Sequence, residues 1–421
     1  MHQTKYRFAH LSVNSKSIVG KVSLGGSKSI SNRVQIIRAL TETNFEIKNL
    51  SDSKDSLTLQ RLLTQDSDQI YDTGHAGTCF RFMTAYLATK QGTQILSGSN
   101  RMKERPIGPL ADALNSIGAQ IEYMEKEGFP PLKISAPKNE WAKEVEIDGS
   151  MSSQFISALL LIAPALPNGI TVKIIGKLVS IPYVKMTLKL LQYFGVESEW
   201  VENNIRIAPQ KYAAKEFQVE ADWSSASYLY NLVALNPGSE IEIEGLFEES
   251  LQGDSAIQKM TEKLGVQSNW KNGKLSIKHN EENIELFEYN FIEQPDLAQT
   301  IACLCAGKNI QAIFNGLQTL FIKETDRVGA LTAELQKCGV FVSKLPEKYT
   351  KDASDDYYMF EGSLTTTDQP IKTYQDHRMA MAFATLATKI DLTIEDPYVV
   401  VKSFPDFWEV LSQLGFTIKY T

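Results

Sequence analysis

Apolar positions along the chain alternate between short extended runs and stretches with helical spacing. The apolar run Val19–Leu24 ends before two glycines, after which Ile30, Val34 and Ile37 recur at helical spacing. This change of period predicts a strand followed by a helix that begins near Ser27. The same order of extended run, polar turn and apolar helix recurs with helices that begin near residues 74, 150, 223, 295 and 376.

A second type of helix alternates with the first and is amphipathic. It usually ends at a glycine, the residue expected just beyond a helix C-terminus. Its copies are predicted at 57–63, 109–118, 184–195, 254–265, 326–339 and 404–415. Six small α/β modules are therefore predicted, and they fall naturally into two domains of three. The first interval between helices is the shortest, so the first module should lack strands.

Composition and charge narrow the possible partners. The chain has 421 residues and a net charge of -7, which argues against nucleic acid or an anionic membrane as its main partner. The longest apolar run, 155–166, is too short to span a bilayer and contains Pro164. The first twelve residues lack an apolar core of signal-peptide type, and the four cysteines show no paired pattern. We expect a cytoplasmic protein.

The start of the first helix carries groups that bind anions. Lys28 and two serines stand in its first turn with no carboxylate, and Ser29 and Arg33 share one helical face. The free N–H groups of a helix start favour a phosphate or carboxylate there. An ordinary N-cap with solvated charges is the alternative, and this stretch alone does not decide between them.

The segment 323–327 is a second dense cluster of charge. If it is helical, Lys323 and Arg327 lie on one face, where two like charges favour an anion between them. Glu324, one turn from Arg327, could carry a proton. The alternative is an alternating salt-bridge face on the surface.

Other charged residues stand at predicted helix starts, including Arg105, Asp296, Arg378 and Lys402. Two roles are open for Asp296. It could simply cap the helix that follows, or it could act as a general base. The five histidines are scattered and no cysteines are paired, so we predict no metal site. The sequence motifs of zinc proteases, serine hydrolases and dinucleotide-binding proteins are absent.

Taken together, several motifs resemble the 5-enolpyruvylshikimate-3-phosphate (EPSP) synthase family of enolpyruvyl transferases. In chain order they are L-G-G-S-K-S-I-S-N-R, H-A-G-T, R-M-K-E-R-P-I-G, S-S-Q-F, K-E-T-D-R, D-H-R-M-A-M and F-P-D. The resemblance implies an α/β fold of the two-domain inside-out barrel type, with three βαβαββ-type units in each domain and the first unit truncated. The implied domains are residues 1–26 with 222–421, and residues 27–221.

The resemblance also implies an enzyme of the shikimate pathway, which serves aromatic amino-acid synthesis. It would move the enolpyruvyl group of phosphoenolpyruvate to the 5-hydroxyl of 3-phosphoshikimate and release phosphate. Neither cofactor nor metal is implied, and the family default is a monomer.

Most of the implied site residues lie in these motifs, and the resemblance adds Ser180, Tyr183, Asp296, Thr319 and Lys402 from outside them. Asp296 would take the hydroxyl proton, Glu324 would donate a proton and Lys28 would bridge both substrates. The implied 3-phosphoshikimate ligands are Lys28, Ser29, Arg33, Ser152, Ser153, Gln154, Ser180, Tyr183, Asp296, Thr319 and Lys323. The implied phosphoenolpyruvate ligands are Lys28, Gly77, Arg105, Gln154, Arg327, Arg378 and Lys402.

The chain departs from the family pattern at a few positions. His75 replaces an asparagine, Phe82 a proline, and Thr319 an asparagine that helps bind the shikimate phosphate. A related transferase that acts on a UDP-sugar is one alternative, but it uses a loop cysteine and 101–107 contains none. A binding protein that has lost catalysis is the other, and it would be expected to lack Asp296 and Glu324.

Overall fold

The structure is a computed structural model that describes residues 6–65, 70–135, 137 and 140–421. The residues before position 6, which belong to the stretch lacking a signal-peptide core, lie outside the described residues. Contacts divide the chain into two units. We call the described residues up to Gly25 together with Glu220–Thr421 the terminal unit, and Gly26–Val219 the inserted unit.

The described residues form helices and strands in alternation. The α-helices are α1 Lys28–Leu40, α2 Lys54–Leu63, α3 Gly77–Ala88, α4 Gly108–Ser116, α5 Ser153–Ile162, α6 Ile181–Tyr193, α7 Trp223–Leu235, α8 Ile257–Glu262, α9 Ala298–Lys308, α10 Arg327–Lys337, α11 His377–Ala384 and α12 Phe407–Gln413. The strands are β1 Phe8–Val13, β2 Val19–Ser23, β3 Ile47–Lys48, β4 Tyr71–Asp72, β5 Thr93–Ser97, β6 Gln120–Tyr123, β7 Leu132–Ser135, β8 Glu144–Asp148, β9 Ile170–Ile175, β10 Glu199–Val201, β11 Asn204–Ile207, β12 Phe217–Gln218, β13 Glu240–Glu244, β14 Val266–Lys271, β15 Lys274–His279, β16 Leu286–Asn290, β17 Gln311–Asn315, β18 Val340–Lys344, β19 Tyr358–Gly362, β20 Leu392–Glu395 and β21 Phe416–Tyr420. The 3-10 helices are Met102–Glu104, Ala163–Ala165, Gly253–Ala256, Pro295–Leu297, Gln318–Ile322, Glu347–Tyr349, Thr385–Thr388 and Pro397–Lys402.

Four sheets share one arrangement, in which two parallel strands are followed by two antiparallel ones. Their strand orders are β2-β13-β15-β14 and β16-β17-β19-β18 in the terminal unit, and β4-β5-β7-β6 and β8-β9-β11-β10 in the inserted unit. A parallel pair needs a crossover connection, and the apolar helices α3, α5 and α9 supply it within single modules. The repeated module read from the sequence therefore has one topology.

Two sheets depart from this arrangement. β3 pairs in parallel with β12 alone, so among the described residues the first module lacks the antiparallel hairpin, as its short sequence interval predicted. The last module borrows its middle strand from the start of the chain. β1 lies antiparallel between β20 and β21, and Ile371 bridges Ile394 in parallel.

The apolar helices form the inside of the terminal unit. α7, α9 and α11 lie in one continuous cluster of buried apolar side chains, which supplies most of the favourable free energy of folding. In α7 every residue is buried except Ser224. The second helix type ends as expected, because Gly118, Gly195, Gly265, Gly339 and Gly415 all take positive φ values, between 82° and 118°.

The structure decides two points of local structure that the sequence left open. Lys323 and Arg327 do not share a helix, because Asp326 caps α10 by accepting a hydrogen bond from the Gly329 N–H at 3.0 Å. Lys323 instead ends the preceding 3-10 helix with an extended ψ of -150°. Asp296 lies inside the 3-10 helix Pro295–Leu297, and the residue at the N-cap position of that helix is Gln294.

Candidate functional site

Arg327 is the centre of a charged cluster in the terminal unit. It is the first residue of α10, and its side chain is only 2% exposed. Its guanidinium donates to three carboxylates at once. Nε reaches Asp376 Oδ2 at 2.7 Å, Nη1 reaches Asp296 Oδ1 at 2.9 Å, and Nη2 reaches Glu324 Oε2 at 2.9 Å. Burial alone would lower the pKa of Arg327, but these carboxylates raise it above its usual value.

Asp296 is shared between two arginines. Its Oδ2 accepts from Arg378 Nη2 at 2.9 Å, while Lys323 Nζ lies 3.8 Å from its Oδ1. Burial acts to raise the pKa of Asp296, but the positive charges of Arg378, Lys323 and Arg327 together hold it well below its usual range. Asp296 is therefore a carboxylate ion held among cations.

Glu324 also bridges two cations. Its Oε2 accepts from Arg327, and its Oε1 accepts from Lys402 Nζ at 2.7 Å. Lys402 is 8% exposed and ends the 3-10 helix Pro397–Lys402. Because an arginine and a lysine converge on one carboxylate, an incoming anion can replace Glu324 on both.

Asp376 connects the cluster to helix α11. It is fully buried, and its Oδ1 caps the helix by accepting from the Arg378 N–H at 2.9 Å. Its other oxygen accepts from Arg327. The cap thus fixes the start of α11, the helix whose first turn supplies Arg378.

A second buried carboxylate lies behind Arg378. Arg378 Nη2 is 3.3 Å from Ser224 Oγ, and the Ser224 hydroxyl donates to Asp254 Oδ2. Burial and the charge of Asp296 raise the pKa of Asp254 to about 6. The arginine is therefore held by an ionised carboxylate on one side and, through Ser224, by one that titrates near neutrality.

The inserted unit has its own buried arginine. Arg33 is 1% exposed and joins three helices through neutral oxygens. From α1 it reaches Thr187 Oγ1 in α6 at 2.8 Å and Ser157 Oγ in α5 at 3.1 Å, and it reaches the Ser29 carbonyl at 2.8 Å and that of Tyr183 at 3.4 Å. Burial lowers the pKa of Arg33 to about 10.

Further predicted ligands of the inserted unit lie at helix starts. Lys28 Nζ lies 3.5 Å from Asp55 Oδ2, a carboxylate in the first turn of α2. Gly77 opens α3 directly against Arg105, since a Cβ atom added at Gly77 would lie 2.4 Å from Arg105 Nη1. A larger residue at position 77 would therefore require the Arg105 guanidinium to move, so the two residues are closely packed.

The remaining predicted ligands of the inserted unit lie at the starts of α5 and α6. Ser152 caps α5 by accepting from the Gln154 N–H at 3.3 Å, and Gln154 Nε2 donates to Thr78 Oγ1 at 3.1 Å. Ser153 is the first residue of α5 and is buried. Ser180 precedes α6 in the left-handed region at φ 55°, and it makes no capping bond through its side chain.

Thr319 is the predicted ligand that the structure does not join to a cluster. It lies in the 3-10 helix Gln318–Ile322 of the terminal unit and is 6% exposed. Its hydroxyl has no hydrogen-bond partner among the described residues. Thr319, like the other predicted ligands, stays a prediction.

Sequence reasoning missed several members of these clusters. Asp376 could have been found, because it stands two residues before Arg378 at a helix start. Asp254, Ser224 and Asp55 give no such signal, since serines and acids at helix starts are common caps. Their roles depend on contacts far apart in sequence, such as the 30 residues between Ser224 and Asp254.

Two searches of the described residues gave negative results. Within the ranges that the structure covers, no group of three or more His, Cys, Asp or Glu side chains is arranged to hold a metal ion. Among the same residues, no helix combines the length and apolar character needed to cross a membrane.

Comparison with known proteins gives consistent matches. A family model described as EPSP synthase (3-phosphoshikimate 1-carboxyvinyltransferase) matches residues 13–65 and 58–411. A 3-phosphoshikimate 1-carboxyvinyltransferase of Bacteroides fragilis is 42% identical over 406 residues, covering 96% of this chain and 97% of that protein. One from Sulfurovum sp. is 38% identical over 427 residues, covering 94% and 97%.

Solved structures show the same fold at lower identity. An EPSP synthase from Acinetobacter baumannii has a TM-score of 0.75 at 20% identity and covers 99% of this chain and 100% of its own. The enolpyruvyl transferase NikO from Streptomyces tendae has a TM-score of 0.74 at 14% identity, with 99% of each chain covered. These likenesses confirm the predicted α/β fold class. With the family model and the relatives at 38% and 42% identity, they show that the chain belongs to the EPSP synthase family.

Proposed function

We propose that the Arg327 cluster is the catalytic centre of an enolpyruvyl transfer from phosphoenolpyruvate to 3-phosphoshikimate. A C–O bond forms between the 5-hydroxyl of 3-phosphoshikimate and C2 of phosphoenolpyruvate. One proton leaves that hydroxyl and one is added to the methylene carbon, giving a tetrahedral adduct. Loss of phosphate and of a methyl proton from the adduct then restores the enol ether. The steps balance without a cofactor.

One observation carries the proposal. Asp296 and Glu324 occupy the cations that an anionic substrate would bind, namely Arg327, Arg378 and Lys402. When the carboxylate and phosphate of phosphoenolpyruvate take those cations, each protein carboxylate loses positive partners and its pKa rises. Binding of the substrate would thereby convert two weak bases into a general base and a proton carrier.

The proposed roles are those that the family resemblance implies, and these positions support them. Asp296 takes the hydroxyl proton, and Glu324 delivers a proton to the methylene carbon. Lys323 lies beside Asp296 on the side of the shikimate hydroxyls, with Thr319 as a further ligand. The proposed phosphoenolpyruvate ligands of the terminal unit are Arg327, Arg378 and Lys402.

The inserted unit supplies the remaining ligands. Ser29 and Arg33 bind the shikimate carboxylate, and this fits an arginine that is surrounded by neutral oxygens. Lys28 contacts both substrates, and Gln154 lies over the shikimate ring. The shikimate phosphate is bound by Ser152, Ser153 and Ser180, and Tyr183 lines the shikimate side. Phosphoenolpyruvate is bound by Gly77 and Arg105.

A phosphate-release assay tests the activity. The purified chain should release phosphate from phosphoenolpyruvate when 3-phosphoshikimate is added and should not do so with a UDP-sugar. Release with the UDP-sugar alone would assign the chain to the other branch of the transferases, and release with neither acceptor would leave a binding protein.

The catalytic assignment is tested by Asp296→Asn and Glu324→Gln. Each variant should still bind 3-phosphoshikimate but should turn over at least about 100-fold more slowly, because an acid–base group is lost. Asp326→Asn is the matched control, since asparagine caps a helix as well as aspartate. Turnover of either site variant at the control's rate would remove that residue from its role.

The remaining assignments concern organisation. We propose that the chain has two domains, 1–26 with 222–421 and 27–221, whose limits differ by one or two residues from those of the terminal and inserted units. We also propose that the chain acts as a monomer in the cytoplasm. The four cysteines are buried thiols, which suits a reducing compartment. Light scattering coupled to gel filtration should give one chain mass, and a doubled mass would reject the monomer.

A further inference from the structure

Helix α10 contacts the segment before α11 along one face. Arg327, Glu334 and Lys337 are spaced seven and then three residues apart, so they lie on the same side of the helix. Each of them binds a different point of residues 370–376. The helix that begins with Arg327 therefore also holds the polypeptide that leads to Arg378.

Glu334 is the middle of this face and the most buried member. Its side chain is 1% exposed, and both of its carboxylate oxygens are used. Oε2 accepts from the Lys372 N–H at 2.9 Å and from Lys337 Nζ, and Oε1 accepts from the Tyr374 hydroxyl at 2.7 Å. Lys337 Nζ in turn donates to the Pro370 carbonyl at 2.9 Å.

The segment held in this way has an unfavourable backbone conformation. Tyr374 and Gln375 are consecutive left-handed residues with φ values of 53° and 58°. Non-glycine residues rarely adopt this region, and they persist in it when the surrounding structure fixes them. The Glu334 contacts supply such a constraint on both sides of Thr373.

The turn delivers two members of the charged cluster. The Asp376 N–H closes it by donating to the Thr373 carbonyl at 2.8 Å. Asp376 then binds Arg327 and caps the Arg378 N–H, and Arg378 reaches Asp296. A shift of the turn would therefore move Asp376 and Arg378 together.

We propose that Glu334, Lys337 and Tyr374 are positioning residues that hold the 372–376 turn and so set the place of Arg378. This rests on the proposed function, in which Arg378 binds phosphoenolpyruvate. None of the three contacts substrate in this proposal, and they act through the turn. Their loss should weaken phosphoenolpyruvate more than 3-phosphoshikimate, because most of the proposed ligands of 3-phosphoshikimate belong to the inserted unit, whereas Arg378 follows the turn directly.

Tyr374→Phe is the first test, because it deletes only the hydroxyl that binds Glu334. Phenylalanine keeps the ring of Tyr374, and because this side chain is 38% exposed, the change should cost little folding stability. We expect the KM for phosphoenolpyruvate to rise about tenfold and that for 3-phosphoshikimate to change less than about twofold. Tyr349→Phe is the matched control, since Tyr349 is 67% exposed and is not one of the three positioning residues.

Glu334→Gln is the second test and uses the same kinetic split. The double variant Tyr374→Phe with Glu334→Gln should show no larger rise in the KM for phosphoenolpyruvate than Glu334→Gln alone. The reason is that both changes break the same Tyr374–Glu334 hydrogen bond. Thermal unfolding of each variant separates positioning from stability. A KM split with the melting temperature kept within about 3 °C of the parent supports the proposal.

Two outcomes would overturn the proposal that these three residues position the 372–376 turn. One is an unchanged KM for phosphoenolpyruvate in a folded Tyr374→Phe variant. The other is an equal rise for both substrates together with a lowered melting temperature, which indicates a structural role only. Failure of the proposed function is distinguishable, because the unaltered chain would then release no phosphate with these substrates.

Discussion

The most deeply buried arginine of each unit, among the described residues, is Arg327 in the terminal unit and Arg33 in the inserted unit, and the two have opposite surroundings. Arg327 of the terminal unit donates to three carboxylates, whereas Arg33 of the inserted unit donates to hydroxyl and carbonyl oxygens. The pKa of Arg327 is raised, and that of Arg33 is lowered by burial to about 10. One charge is compensated within the protein, and the other is desolvated among neutral groups.

The difference indicates how each arginine would bind an anionic ligand. At Arg327 a ligand has to displace protein carboxylates, which then change their proton affinity. At Arg33 a ligand carboxylate would add the negative charge that the contacting oxygens lack, so binding itself relieves the cost of burial. The first arrangement suits proton transfer and the second suits recognition.

The largest effect is expected from Arg327→Met. The change leaves Asp296, Glu324 and Asp376 without their shared cation, and breaking buried pairs in this way costs about 3–5 kcal/mol. Urea unfolding should show this loss of stability. Arg7→Met is the control, because the Arg7–Glu395 pair is exposed on the arginine side and should contribute little to stability. Equal losses in both variants would contradict the central role of Arg327.

An intermediate effect is expected from Asp254→Asn and depends on pH. The folded pKa of Asp254, about 6, lies above its unfolded value of 3.8, so the folded chain binds more protons between them. The contribution of Asp254 to stability is therefore fully present below pH 3.8 and is lost as the pH rises through 6.

The asparagine variant cannot ionise and should escape that loss. Relative to the parent, it should gain about 1–3 kcal/mol of unfolding free energy between pH 4 and pH 8. Asp52→Asn, a change of an exposed carboxylate, is the control. Parallel stability curves for the parent and the Asp254 variant would show that Asp254 does not titrate in this range.

The smallest effect on stability is expected from Arg33→Met. The loss of its hydrogen bonds is offset by removal of a desolvated charge, so unfolding free energy should change by less than about 1 kcal/mol. Binding of 3-phosphoshikimate, measured by calorimetry, should nevertheless weaken at least about tenfold.

Arg206→Met is the control in the same unit, since that side chain is exposed on β11. A large loss of stability in Arg33→Met with unchanged ligand affinity would reverse the comparison, because Arg33 would then be structural.

The sequence by itself determined the repeated module and its boundaries. Apolar spacing predicted the helices, and the glycines after them take the positive φ values that only glycine adopts easily. The breaks after residues 26 and 221 were implied by the family resemblance, and they can be set beside the observed division after Gly25 and Val219. The helices and their terminal glycines needed no such comparison. These features are local, because periodicity and turn chemistry act within a few residues.

Only the tertiary structure decided how the charges pair. Arg327 meets Asp376 across 49 residues and Arg378 meets Asp296 across 82, and no local pattern encodes such distances. For the same reason the sequence left open whether Lys323 and Glu324 are helical and whether Asp296 is a cap, and it gave no signal for Glu334 and Asp254. A carboxylate acquires its role from the cations and N–H groups that packing brings to it, and these come from other modules of the chain.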